Sequence, residues 1–299
     1  MPIHALRTPD DRFEGLPGYD FAPHYADDLP GYEGLRMHWL DEGPADAEHT
    51  YLCLHGEPSW CYLYRKMLPV FTEAGGRVIA PDFFGFGRSD KPVDDATYTF
   101  DFHRDSMLRL IERLDLQNIT LVCQDWGGLL GLTIPPDMAD RFSRLLIMNT
   151  ALATGVSPGK GFEAWKENMR KKPDFNVGGL FRRSVEGITE AEVAAYDAPY
   201  PDVSFKGGVR TFPELVPVTP EMPGAQLSMR AAGWWSSEWK GKSFMAVGMQ
   251  DPVLGPKVMA MMRQLIAGCP EPMKVESAGH FVQEHGESVA KAALVSWGN

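Results

Sequence analysis

The sequence is short of cysteine, of long apolar runs and of basic charge, and each shortage excludes something. Only four cysteines occur among 299 residues, at positions 53, 61, 123 and 269, with no CxxC spacing. That argues against a disulfide framework or a zinc site. Most of them sit inside apolar runs, so buried free thiols in a reducing compartment, and hence a cytoplasmic location, are expected. No stretch approaches the roughly 20 apolar residues that cross a bilayer. The most telling run, 126–136, is broken by three Gly and two Pro. The amino terminus lacks a basic segment followed by an apolar core, so no signal peptide is expected. Lys and Arg number 29 against 40 Asp and Glu, a net charge of −11. Such a surface repels phosphate backbones and speaks against nucleic-acid partners. No repeat, low-complexity segment, metal-ligand cluster or cofactor motif is found, and nothing points to an obligate assembly; a monomer without cofactor or metal is expected.

What is present describes a globular protein, with 44% apolar and 23% charged residues, 30 Gly and 24 Pro. At this length one large domain carrying a lid is more natural than three small ones. Continuous apolar runs at 50–54, 77–80, 119–123, 145–148 and 243–247 each stop at turn-forming residues, and 273–275 leads into Ala278-Gly279-His280. Runs of this kind fit strands buried on both faces, the pattern of a parallel sheet. Crossover helices between them are expected, for example at 105–114, where apolar residues fall at 107, 108, 110, 111 and 114. The fold class is therefore α/β, a mostly parallel central sheet flanked by helices. The region 151–221 differs, holding Gly, Pro and a helical stretch at 162–170 but no buried-strand run. It is expected to form a helical cap inserted between strands, with the core built from 1–150 and 222–299.

Ligands on such sheets sit at the carboxyl ends of the strands, and the chemically interesting residues cluster there. In Val122-Cys123-Gln124-Asp125-Trp126-Gly127-Gly128 a buried strand ends, one polar turn follows and two glycines open a helix. That is the context of a nucleophile elbow, with Asp125 in the place usually taken by Ser. Taken alone, Asp125 reads equally well as a helix N-cap. Asp251 and His280 follow two further strands, 126 and 29 residues on in turn. In isolation the first is a turn residue and the second a structural histidine. Nucleophile, acid and histidine in this order at successive strand ends favour a catalytic triad, the chain order of α/β-hydrolases. His55-Gly56-Glu57-Pro58 follows an early strand, where such enzymes place an oxyanion-hole N–H. His285 is the only rival to His280.

Together with Asp82-Phe83-Phe84-Gly85-Phe86-Gly87-Arg88-Ser89-Asp90 and Ala278-Gly279-His280-Phe281-Val282-Gln283-Glu284, these motifs are spread over most of the chain. They resemble the haloalkane dehalogenases, in particular the branch typified by dichloroethane-degrading enzymes. The resemblance implies Asp125 as nucleophile, His280 as base and Asp251 as acid. It also implies an oxyanion hole from the backbone of Glu57 and Trp126, and halide contacts from the indoles of Trp126 and Trp165. Phe162, Val253 and Leu254 match pocket-lining positions. Asn149 stands where another branch carries its acid, which supports Asp251 here. Without the resemblance, Trp165 is an ordinary aromatic on a helix face.

Aspartate at the elbow selects the chemistry. A carboxylate attacking sp³ carbon forms an ester whose carbonyl belongs to the enzyme, and water can cleave it again. A serine would leave an ether. Carbon–halogen or epoxide opening is therefore expected, rather than ordinary ester or peptide hydrolysis. A halide needs only neutral donors in a dry pocket, and indole N–H suits that task. An epoxide needs a proton donor, for which Tyr196 and Tyr200 are candidates; a non-catalytic ligand-binding hydrolase fold is the remaining alternative. The expected partners are a small apolar halogenated substrate, water and halide. Trp234, Trp235 and Trp239 are assigned to helix packing.

Overall fold

A computed structural model describes residues 3–298. Its strands are β1 (Ala5–Leu6), β2 (Pro23–Ala26), β3 (Met37–Glu42), β4 (Thr50–Leu54), β5 (Arg77–Pro81), β6 (Lys91–Pro92), β7 (Ile119–Cys123), β8 (Phe142–Met148), β9 (Lys242–Gly248) and β10 (Met273–Val275). Its α-helices are α1 (Leu68–Glu73), α2 (Phe100–Arg113), α3 (Trp126–Gly131), α4 (Lys160–Lys171), α5 (Val177–Ser184), α6 (Glu190–Asp197), α7 (Gly207–Leu215), α8 (Ala225–Ser237), α9 (Pro256–Leu265) and α10 (Gly286–Trp297).

Eight strands make one sheet in the order β10-β9-β8-β7-β4-β5-β3-β2, and β1 pairs separately with β6. Only β3 runs against its neighbours in the large sheet. Every residue of β4 and of β7 is buried, as expected of strands covered on both faces. The sheet is flanked by helices, with α1 packed on α10 and α2 on α3. The six apolar runs all become strands. The sequence reading missed β2 and β3, whose polar and aromatic residues, such as His24, His38 and Asp41, break the continuous apolar pattern. Helix α2 also begins five residues before the expected 105, because Thr99 caps it, its Oγ1 accepting from Phe102 N at 3.0 Å.

Register explains why distant residues meet. Leu54 pairs with Cys123, Cys123 with Ile147, Met148 with Ala246, and Gly248 with Val275. The segments leaving β4, β7, β8, β9 and β10 therefore emerge along one edge. Strand β4 lies between β5 and β7, so the chain turns to opposite sides of it and opens a crevice at this edge. Between Met148 and Lys242 there are five α-helices and no strand. Among the described residues no helix is long and apolar enough to cross a membrane. All four cysteines are unpaired, Cys269 being only half-buried.

Candidate active site

Asp125 occupies the turn between β7 and α3 with φ 49° and ψ −125°, a conformation rare for a residue with a side chain. Neighbours without side chains make it possible. A Cβ on Gly127 would stand 1.9 Å from the Leu54 carbonyl, and one on Gly128 would stand 2.1 Å from Thr150 Oγ1. Thr150 Oγ1 in turn donates to the Asp125 carbonyl at 2.7 Å. Asp125 does stand at the N-cap of α3, but its carboxylate makes no capping hydrogen bond there. It points instead across to the loop after β4.

The two carboxylate oxygens have different surroundings. Oδ1 accepts from the backbone N–H of Glu57 at 2.8 Å. The backbone N–H of Trp126 also favours the ionised form of this carboxylate. Oδ2 lies 3.6 Å from His280 Nε2. Burial raises the Asp125 carboxyl above its usual value, against the imidazole and the two N–H donors. Gly56 brings the β4 loop this close, for a Cβ there would meet Asp125 Oδ1 at 2.5 Å.

His280 follows β10, and its Nδ1 lies 2.8 Å from Asp251 Oδ2. Burial works to raise the pKa of Asp251, but the imidazole, Asn149 and the Val253 N–H outweigh it and hold the carboxyl below the usual range. Asn149 Nδ2 donates to Asp251 Oδ2 at 3.0 Å and to the Gly248 carbonyl at 3.1 Å. Oδ1 of Asp251 accepts from the N–H groups of Val253 at 2.8 Å and Leu254 at 3.0 Å. Those two residues were singled out for their side chains, yet their backbone is what touches the acid. For His280 itself burial lowers the pKa, while Asp251 and Asp125 push it up to about 9. His285 sits a turn farther on, at the start of α10, away from these carboxylates.

Helices between β8 and β9 reach this crevice. Trp126, buried on α3, packs against Phe212 of α7 at 4.7 Å between ring centres. A Cβ on Gly161 of α4 would touch the Pro252 carbonyl and Val253, both at 3.4 Å. Phe162 is buried beside it, and Trp165 stacks edge-on with Phe175. The Glu57 side chain is 6% exposed and its Oε1 has no partner. Burial and then the nearby Asp125 push its carboxyl well above the usual range, against a hydrogen bond with the Trp165 indole. That shift favours the protonated, uncharged carboxyl.

Tyr196 and Tyr200 are occupied elsewhere. Tyr196 donates to Glu284, and Tyr200 to the Pro58 carbonyl at 3.3 Å. The tryptophans at 234, 235 and 239 pack on one another, and Trp235 Nε1 donates to the Leu132 carbonyl at 2.8 Å. Among the described residues one cluster of metal-ligand types occurs, the buried His38, Cys61 and Asp82. Asp82 there accepts from His38 Nδ1 at 2.7 Å and from the N–H groups of Cys61 and Arg88 at 2.8 Å, which fastens the loop after β5. Sequence reasoning assigned no role to Gln124 and Gln283, buried amides whose contacts run to His280 and to each other.

Comparison with known proteins agrees with this architecture. A family model described as alpha/beta hydrolase fold matches residues 52–287. A haloalkane dehalogenase of Psychrobacter cryohalolentis is 48% identical, over 97% of this chain and 96% of its own. One from Mycolicibacterium paratuberculosis is 39% identical over 99% and 98%. The solved tetrameric structure of haloalkane dehalogenase DpaA from Paraglaciecola agarilytica NO2 superposes with a TM-score of 0.97, at 53% identity over 98% of this chain and 99% of that one. By fold, by full-length similarity and by the grouping of Asp125, Asp251 and His280 at one sheet edge, the chain belongs to the haloalkane dehalogenase family of the α/β-hydrolases.

Proposed function

We propose that Asp125, His280 and Asp251 carry out the family's reaction, hydrolysis of a haloalkane to alcohol and halide, in two steps. The observation that carries this reading is the asymmetry of the Asp125 carboxylate. Oδ1 is engaged by the Glu57 N–H at 2.8 Å, while Oδ2 faces the crevice and His280 at 3.6 Å. Oδ2 is the attacking atom. It displaces the halogen from carbon, the halide leaving with the electron pair of the broken bond, and an alkyl ester of Asp125 results. Water then adds to Cγ and gives its proton to His280 Nε2. Negative charge gathers on Oδ1, already held by the Glu57 N–H, with the Trp126 N–H as the second donor to the carboxyl. Collapse of this intermediate expels the alkoxide, which recovers the proton from His280 and leaves as alcohol. Asp251 orients the imidazole and balances its transient charge.

The halide is assigned to the indoles of Trp126 and Trp165, with Glu57 kept neutral beside them. Residues 151–221 are assigned to a cap over the crevice, with Phe162, Val253 and Leu254 in the pocket wall. Epoxide opening is less favoured, because both candidate tyrosine hydroxyls are already bonded. The test is His280→Ala mixed with 1,2-dibromoethane. We expect one halide per enzyme and a bromoethyl adduct on the peptide bearing Asp125. Steady turnover, or an adduct elsewhere, refutes the assignment.

The monomer expected from sequence stands against the tetrameric DpaA. At that level of similarity we assign an assembly to this chain as well. Light scattering should give several times the chain mass; the mass of a single chain restores the monomer.

A further inference from the structure

We infer that Gln124 is a positioning residue for this reaction: its side-chain amide holds His280 with a bare Nε2, the neutral form able to take a proton from water. The inference rests on the assignment of Asp125 as nucleophile and His280 as base.

Gln124 is fully buried, between the end of β7 and the nucleophile. Its Nε2 lies 2.9 Å from His280 Nε2 and 3.1 Å from the His280 carbonyl oxygen. Its Oε1 accepts from Gln283 Nε2 at 3.4 Å. A carbonyl oxygen can only accept, so the Gln124 atom facing it carries the hydrogens, and this fixes which way round the amide sits. The other hydrogen of the same NH₂ group then points to His280 Nε2, which must offer a lone pair. The remaining ring proton is on Nδ1, directed to Asp251 Oδ2 at 2.8 Å. One amide, anchored on a backbone oxygen, thus specifies one tautomer of a side chain 156 residues away.

Such a device answers a problem set by the site itself. The charged groups facing the imidazole are Asp251 on one side and Asp125 on the other. The turn behind it brings the Gln283 amide and the Phe281 ring, neither of them charged. Burial opposes a proton on Nε2, but the two carboxylates outweigh it and on their own push the imidazole up to about 9, so a neutral His280 needs a further contact that disfavours the proton. A protonated imidazole cannot accept a proton from water. Protonation at Nε2 would set N–H against N–H at the 2.9 Å separation, so the Gln124 contact resists it. Alkylation of Asp125 then removes one of the two negative charges. Water can then displace the Gln124 N–H from the single Nε2 lone pair at the stage when a base is needed. An amide that merely filled space would influence stability but not the ionisation of His280.

Single-turnover mixing with 1,2-dibromoethane separates alkylation of Asp125 from hydrolysis of the ester. In Gln124→Leu, alkylation should keep its rate across a pH series. The acid limb of hydrolysis should move up by about one unit, a roughly tenfold loss just below the limb. Superimposed limbs overturn the inference, as does an equal slowing of both steps. Absence of any Asp125 adduct in the parent protein overturns the catalytic assignment, and this inference with it. Should Gln124→Leu fail to fold, nitrogen NMR of histidine-labelled parent protein gives the answer, with His280 assigned by its loss in His280→Ala. An unprotonated Nε2 at neutral pH supports the inference, and a protonated one overturns it.

Discussion

At the scale of single residues the site depends on what is missing as much as on what is present. Gly56 lets backbone approach the nucleophile where any Cβ would strike Asp125 Oδ1. Gly56→Ala should push the loop back, draw the Glu57 N–H off Oδ1 and lower kcat by about 100-fold or more, the usual cost of losing an oxyanion donor. Steady-state halide release measures it, and a change of less than tenfold would show that the loop adapts. The grouping of Asp125, Asp251 and His280 was legible in the sequence because each occupies a turn directly after an apolar run. Glu57 was legible only for its backbone; that its carboxyl is buried and unpartnered at Oε1 depends on helices packed over it. Val253 and Leu254 show the same limit, since a backbone N–H leaves no trace in residue type. Asn149 and Gln124 were visible as letters, but their amide contacts span 102 and 156 residues, which no local pattern encodes.

At the scale of elements, one buried ion cluster ties the helices above the crevice to the segment that carries His280. Arg65 donates to Glu284 through both terminal nitrogens, at 2.7 and 2.9 Å, and to Glu192 of α6 at 2.7 Å. Lys66 reaches Glu284 at 2.8 Å, and Tyr196 of α6 donates to it too. The side chains of Arg65 and Glu284 are each only 3% exposed. Removing one partner leaves a buried charge, so Arg65→Met should cost about 3–5 kcal/mol in urea unfolding. Pairing it with Glu284→Leu should restore much of that loss; a double variant as weak as the single one would argue that Lys66 and Tyr196 are what depend on Glu284. The strands were readable where they are apolar throughout, as in β4 and β7. Strands β2 and β3 were not, because the edge strand β2 is largely exposed and takes its place from pairing with β3, His24 with Trp39 and Tyr25 with His38.

At the scale of the whole molecule, parallel register does what no single segment could. Five chain segments from residue 55 to residue 280 end along one edge because their strands stop within a pair of residues of each other. Within a chain of net charge −11, the carboxyls at this crevice are individually tuned, Asp251 shifted down by its partners and Glu57 shifted up by burial. The uneven grip on Asp125 has an isotopic consequence. In the proposed reaction Oδ1, held by the Glu57 N–H, remains with the protein, whereas the oxygen at the Oδ2 position departs in each alcohol and is replaced from solvent. Enzyme cycled many times in heavy-oxygen water should therefore gain one heavy atom at Asp125, not two, as read from the mass of its peptide. Two would mean that the carboxylate rotates between turnovers. If only one is found, the alcohol released in any cycle carries an oxygen that entered the protein during the cycle before.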